Sequence, residues 1–261
     1  MAERVKEFTF EYDIAIIGGG LNGYSFGHIA SNDNVIKNKK ILLIDGQKRQ
    51  DYIKSDIPTA STVALNNNTI GTLKKAAFWP EFSSKIQPVH KINVYEDFST
   101  SKLSFQRDLE IFSLSENAHL LRHLTDSVES SNIEILREKV QSIKADNFGS
   151  TIALETLDGL REIRAKLIIG ADGGNSFVRK KFGVEAISWH KDLFAVGAIL
   201  KMGKKYDNCV AWQKFINTGP IAILPLTSEY ASLVWSTTKA ISEDLINFQE
   251  DRFLDELNIQ L

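Results

Sequence analysis

Short apolar runs recur along the chain at spacings too close for a purely helical protein. Tyr12 to Ile17 is apolar at nearly every position and rich in isoleucine, the pattern of a strand covered on both faces in a parallel sheet. Ile41 to Ile44 and Ala165 to Ile169 repeat it, and Ile92 to Tyr95 is a shorter strand-like run. Val210 to Phe215, the residues after Thr218, and Ser232 to Thr237 alternate or run apolar. Turns at Thr218-Gly219-Pro220 and Leu226-Thr227-Ser228 divide them. Within these strands Trp212, Phe215 and Trp235 are either packed core or the wall of an apolar pocket. Helical spacing marks about Leu21 to Ser31, and the tail from Ile241 to Leu261 predicts a helix or a helix pair. There Ser242 is placed to cap, and Leu245, Phe248, Phe253, Leu254 and Leu257 are spaced for burial. No internal repeat or low-complexity linker interrupts the pattern.

The first apolar strand runs straight into Gly18-Gly19-Gly20-Leu21-Asn22-Gly23, the G-x-G-x-x-G spacing. Gly18 permits the tight turn, Gly20 lets a pyrophosphate approach the backbone, and Gly23 lets the next helix lie close to the strand. That helix would aim its positive end at the phosphates, through the backbone at Leu21 and Asn22. The second strand ends in Asp45, which lies 22 residues past Gly23, where an acidic side chain takes a ribose hydroxyl pair. The combination predicts an adenine-dinucleotide site; by itself it does not separate FAD from NAD.

A third strand delivers Gly170-Ala171-Asp172-Gly173-Gly174-Asn175-Ser176-Phe177-Val178-Arg179. A carboxylate on a glycine-flanked turn can accept backbone or ribose hydrogen bonds while leaving room for a bulky cofactor. Asp172 can equally cap the helix beginning near Asn175.

Composition narrows the classes. The chain has 261 residues, 43% hydrophobic and 25% charged, as in ordinary globular proteins. A formal net charge of −2 gives no reason to expect a nucleic-acid partner. The densest basic knot, Lys37 to Lys40, reads as a solvated loop. Cys209 is the only cysteine, so an intrachain disulfide is excluded and a reducing compartment is the natural expectation. No apolar run reaches the ~20 residues that span a bilayer, and Met1 to Phe10 make neither a signal nor a transit peptide. His119 and His123 share a helix face with no acidic or cysteine partner evident, so a solvated face is expected there and no metal site.

The Asp172 loop, following the first motif in order, resembles the fingerprint of the para-hydroxybenzoate hydroxylase-like flavoprotein monooxygenases. Val210 to Phe215, Thr218 to Leu226 and Ser232 to Thr237 resemble the substrate-domain sheet of its coenzyme Q (ubiquinone) hydroxylase branch. Val63-Ala64-Leu65-Asn66 with Thr69-Ile70 and Phe78-Trp79 looks like the family's post-flavin helix. Glu116-Asn117, opening the helix Ala118 to Val128, looks like its second flavin-domain helix.

The resemblance implies an α/β fold, a Rossmann-like FAD-binding domain (11–76 and 107–181) interleaved with a β-sheet substrate domain (77–106 and 182–261). It implies FAD held by Gly18, Gly20, Leu21, Asn22, Gly23, Asp45, Asp172 and Gly173, with electrons from NAD(P)H or a ferredoxin. The implied reaction is hydroxylation of the aromatic ring of a prenylated phenol or quinone precursor, one oxygen atom coming from O2. The implied place is the matrix face of the mitochondrial inner membrane, peripherally and beside other ubiquinone biosynthesis proteins, or the cytoplasm of a bacterium. Two departures stand out. Relatives carry a later Gly-Asp-Ala-Ala-His-type motif that covers the flavin ring, which does not occur before Leu261, and Ser61 stands where many have arginine. The chain is therefore expected to be C-terminally shortened, with a non-catalytic nucleotide-binding or assembly subunit as the second expectation. A pyridine-nucleotide reductase fits the first motif but not Asp172 to Arg179.

Overall fold

The fold is seen in a computed structural model that describes residues 11–47, 57–78, 86–203 and 206–261. Trp79 and Met1 to Phe10, which the sequence reading also used, lie outside these residues. The described residues fall into two compact units: 11–47, 75–78 and 120–187 in the first, 57–74, 86–119, 188–203 and 206–261 in the second.

In chain order the strands are β1 (Tyr12–Ile17), β2 (Ile41–Ile44), β3 (Thr62–Asn66), β4 (Gln87–Val89), β5 (Lys91–Glu96), β6 (Ser99–Gln106) and β7 (Phe112–Glu116). They continue as β8 (Glu134–Leu136), β9 (Lys139–Asp146), β10 (Gly149–Thr156), β11 (Gly159–Gly170), β12 (Phe194–Lys201), β13 (Val210–Ile216), β14 (Gly219–Pro225) and β15 (Tyr230–Thr237). The helices are α1 (Leu21–Asn32), α2 (Asn67–Lys75), α3 (Asn117–Glu129), α4 (Phe177–Lys181), α5 (Lys239–Asn247) and α6 (Glu250–Gln260).

The first unit is built on a sheet ordered β8-β2-β1-β11-β10-β9. β8, β2, β1 and β11 pair in parallel, while β10 pairs antiparallel with β11 and β9. The apolar runs take the centre because a strand flanked on both sides and both faces must be apolar throughout; Ala15, Ile16, Leu42 and Leu43 are fully buried. Each isoleucine or leucine among them contributes about 1.5–3 kcal/mol by leaving water. β11 does two jobs: Gly159 to Ala165 closes a hairpin with β10, and its carboxyl half lies against β1. Only Ala165 to Ile169 of this strand stood out in the sequence, because the hairpin half alternates with charged residues.

The second unit holds a sheet ordered β12-β15-β14-β13-β5-β6 and a smaller one ordered β3-β7-β4. Directly opposed residues share a face, and one row crosses all six strands of the larger sheet. Leu103, Val94, Gln213, Ala222, Val234 and Gly197 form that row, and none of them is buried. On the other face Ile223, Leu233 and Trp235 are buried together with Leu245 of α5 and Leu257 of α6. Trp212 packs against this cluster, so Trp235 and Trp212 belong to the core, whereas Phe215 points to the opposite face and is exposed.

Several expectations change. Val63 to Asn66 is a strand, not part of a helix, because it pairs with β7 antiparallel; the helix begins only at Asn67. Ser242 does not cap the tail helix. Thr238 is the cap residue, and the Ser242 hydroxyl bonds back to the Lys239 carbonyl inside the first turn. Leu254 stays exposed, while Phe253 and Leu257 of the same helix pack in the core. The domain limits drawn from the resemblance also shift. Residues 57–74 and 107–119 group with the second unit, since β3 pairs with β7 and the Thr62 hydroxyl bonds Ser232 of β15 at 3.1 Å.

Candidate dinucleotide site

Parallel pairing brings the carboxyl ends of β2, β1 and β11 to one edge of the sheet, where the two glycine-bearing loops leave side by side. The Gly18 N–H donates to the Ile44 carbonyl at 2.9 Å, and the Ala171 N–H donates to the Ile17 carbonyl at 2.7 Å. Gly18 has φ +115°, and a β-carbon there would lie 2.3 Å from the Ala171 carbonyl oxygen. A β-carbon on Gly23 would lie 1.9 Å from the Gly18 oxygen, so α1 starts hard against the turn. Gly20 is different: a β-carbon there meets nothing within 4 Å. Gly20 also occupies the cap position of α1, with no side-chain hydrogen bond at the cap. Leu21 and Asn22 open α1, so their N–H groups have no acceptor inside the helix and lie at the positive end of its dipole.

Asp45 sits at the end of β2 and is 6% exposed. One carboxylate oxygen accepts the Gln47 N–H at 3.1 Å; the other accepts the Tyr24 hydroxyl at 3.2 Å and the Arg137 guanidinium. Arg137 follows β8, and its second fork nitrogen reaches Glu129 of α3 at 3.0 Å. The guanidinium also lies 5.9 Å from the centre of the Tyr24 ring. Burial, with help from the Asp45 carboxylate and against Arg137, pushes the Tyr24 hydroxyl up to about 12. The sequence pointed to Asp45 alone. Gly19 belongs with it, because a β-carbon there would overlap the Asp45 carboxylate, 2.0 Å from its carbon. Tyr24, Glu129 and Arg137 carry no motif; only Tyr24, next to Gly23, was within reach of sequence reasoning.

In the second loop Asp172 does what the capping alternative called for. Ser176 is the cap residue of α4 and its hydroxyl accepts the Arg179 N–H at 2.9 Å. The Asp172 carboxylate accepts the Ser176 hydroxyl and, at 3.0 Å, the Val178 N–H. Burial alone would raise this carboxyl, but those hydrogen bonds outweigh it and hold it below the usual carboxylate range. Gly173 has φ +85°, and a β-carbon there would meet nothing within 4 Å. The structure thus brings Gly18, Gly20, Leu21, Asn22, Gly23 and Asp45 to one sheet edge, with Ala171 and the Asp172–Gly173 turn beside Gly18.

Other polar groups are structural in their contacts. His28 of α1 is buried between the Ala76 carbonyl (Nε2, 2.8 Å) and the Ser127 hydroxyl (Nδ1, 2.6 Å), and burial lowers its pKa. A neutral ring protonated at Nε2 satisfies both partners. His119 does have an acidic partner: its Nε2 lies 3.0 Å from Glu116, three residues earlier on the same helix approach. Glu116 in turn accepts the Thr59 N–H and hydroxyl at 2.6 and 2.9 Å. Ser61 is tied to Asn117 by a backbone bond of 2.9 Å and a side-chain bond of 3.0 Å.

Residues 11–259 match the family model described as an FAD binding domain. The ubiquinone biosynthesis monooxygenase COQ6, mitochondrial, of Drosophila melanogaster is 34% identical over 96% of this chain and 54% of its own length. Its counterpart from Homo sapiens is 30% identical over 95% of the chain and 55% of its own length. The chain thus spans about half the length of these curated relatives. Among solved structures, pqsL, a probable FAD-dependent monooxygenase from Pseudomonas aeruginosa, superposes with a TM-score of 0.73. It is 17% identical, and the match covers 90% of this chain and 62% of that one. The backbone therefore has the para-hydroxybenzoate hydroxylase-like flavoprotein fold.

Proposed function

Because the chain belongs to the FAD-binding domain family, we propose that it is an FAD-dependent monooxygenase that hydroxylates the aromatic ring of a prenylated ubiquinone precursor. The observation that carries this is the space above Gly20, framed by the start of α1 and the buried carboxylate of Asp45. That space fits the adenine half of FAD. Gly18 and Gly23 set the turn, Gly20 leaves room for the pyrophosphate, and the Leu21 and Asn22 N–H groups face its charge. Asp45 takes the ribose hydroxyls. Asp172 holds the second loop by capping α4, so that Gly173 can approach the cofactor with no side chain in the way.

Bound FAD would supply the electron transfer and oxygen activation that no side chain provides. The protein supplies orientation and exclusion of water. In the second unit, the sheet face opposite the helices carries Val94, Ala222 and Val234, with Leu103 and Phe215 exposed at its margin. An apolar face of this kind suits a prenylated ring. Electrons would come from NAD(P)H or a ferredoxin. The relatives are named mitochondrial, and no described helix is long and apolar enough to cross a membrane. Peripheral placement on the inner membrane, among other ubiquinone biosynthesis proteins, follows as part of the proposal.

The test is the visible spectrum of the purified chain before and after addition of FAD, followed by turnover of a prenylated phenol with a reductant. A yellow, near-stoichiometric complex that hydroxylates the phenol supports the proposal. A yellow but inactive complex favours the second reading, a nucleotide-binding or assembly subunit. A protein that stays colourless overturns both.

A further inference from the structure

Arg137 is the group at this site that no glycine motif announces. Its two terminal nitrogens are both committed, one to Asp45 and one, at 3.0 Å, to Glu129. Asp45 is left no freedom: Tyr24 bonds the same oxygen, Gln47 the other, and the missing side chain of Gly19 makes the space in which the carboxylate lies. The cluster holds two carboxylates and one guanidinium and is therefore net negative.

That arrangement bears on which adenine dinucleotide can enter. A ribose with a free 2′-hydroxyl donates to a fixed carboxylate, whereas a 2′-phosphate needs an uncommitted arginine. Here the guanidinium is spent on its neighbours, and a phosphate would meet two carboxylates at close range, with the repulsion strengthened by partial burial. We propose that Arg137, pinned by Glu129, is a positioning and specificity-determining residue. It fixes Asp45 for an unphosphorylated ribose and bars 2′-phosphorylated dinucleotides from this site. This rests on the proposed reading of the Gly18–Gly23 turn as a dinucleotide site. A protein that also draws electrons from NADPH would need such a filter, since the two cofactors share an adenosine diphosphate half.

The experiment is calorimetric titration of the chain with ADP-ribose and with 2′-phospho-ADP-ribose, probes that need only the adenine end. The parent should prefer ADP-ribose by at least about tenfold, a difference of about 1.4 kcal/mol. Glu129→Gln frees one arm of the guanidinium and removes a negative charge, and should narrow that preference at least threefold. Arg137→Gln should weaken ADP-ribose about tenfold; Glu129→Gln, at a half-exposed side chain, keeps the inference testable if Arg137→Gln does not fold. Equal affinity of the parent for both probes, or an unchanged preference in Glu129→Gln, overturns this inference and leaves the dinucleotide site standing. Failure of the folded parent to bind FAD or either probe overturns the site itself, and this inference with it.

Discussion

Glycines of one motif should fail for opposite reasons when each is replaced by alanine. Gly18→Ala forces an L side chain to φ +115° and sets its β-carbon 2.3 Å from a backbone oxygen. The backbone conformation costs on the order of 1–3 kcal/mol. Relief of the overlap must move Ala171, whose N–H holds Ile17 at 2.7 Å, a bond worth about 1 kcal/mol. A loss of about 3 kcal/mol lowers the melting point by about 6–12 °C at this chain size. Gly23→Ala, 1.9 Å from the Gly18 oxygen, should behave alike. Gly20→Ala meets nothing within 4 Å at φ −84°. Its poorer capping, about 0.5 kcal/mol, is offset by a similar gain from a stiffer unfolded chain. Its melting point should stay within about 2 °C of the parent, while FAD affinity falls about tenfold because the methyl occupies the pyrophosphate's approach. Thermal melts without FAD, and titration of FAD fluorescence on the folded variants, read both quantities. A Gly20→Ala chain that melts as low as Gly18→Ala, or that binds FAD like the parent, would refute the assignment of Gly20 to the cofactor.

Two further outcomes follow from buried titratable groups. His28, depressed by burial from its ordinary 6.5, is protonated in the unfolded chain first. The first unit should therefore keep full stability above pH 6.5 and lose it as pH falls through the lower folded value. Denaturant midpoints at pH 7.5 and 5.5 should differ more for the parent than for His28→Gln, and equal differences would refute the assignment. Asp172→Ala removes acceptors for Ser176 and Val178 and should cost about 1 kcal/mol at neutral pH. Because the folded carboxyl is depressed from 3.8, its contribution is present above that value and disappears as pH falls through the folded one. A midpoint shift at pH 7 that persists undiminished at pH 2.5 would refute the capping role.

The elements legible in the sequence are those whose cause is local. Tyr12 to Ile17 and Ile41 to Ile44 could be read as buried parallel strands because burial on both faces leaves no place for polar residues. The turn after them was legible because close backbone approach excludes every side chain, as the distances at Gly18 and Gly23 show. The Asp172 loop was legible as a loop, but its carboxylate turned out to serve α4, since capping and ligand contact ask for the same residue type. Val63 to Asn66 misled because its strand state is set by β7, about fifty residues away in the chain, and no local propensity records that partner.

By itself the sequence determined where the chain must turn, which strands must be buried and where an acid ends the second strand. It also showed, through its resemblance, which cofactor to expect. Tertiary structure decided what that acid can do. Arg137 lies 92 residues from Asp45 and meets it only because β8 pairs in parallel beside β2, placing both strand ends at one edge. The sheet likewise decided which side of the second unit is core, by laying α5 and α6 over Trp235 and leaving Val94, Ala222 and Val234 uncovered by them. Spacing within one strand fixes alternation between faces, but which face receives the helices depends on the packing of segments distant in the chain.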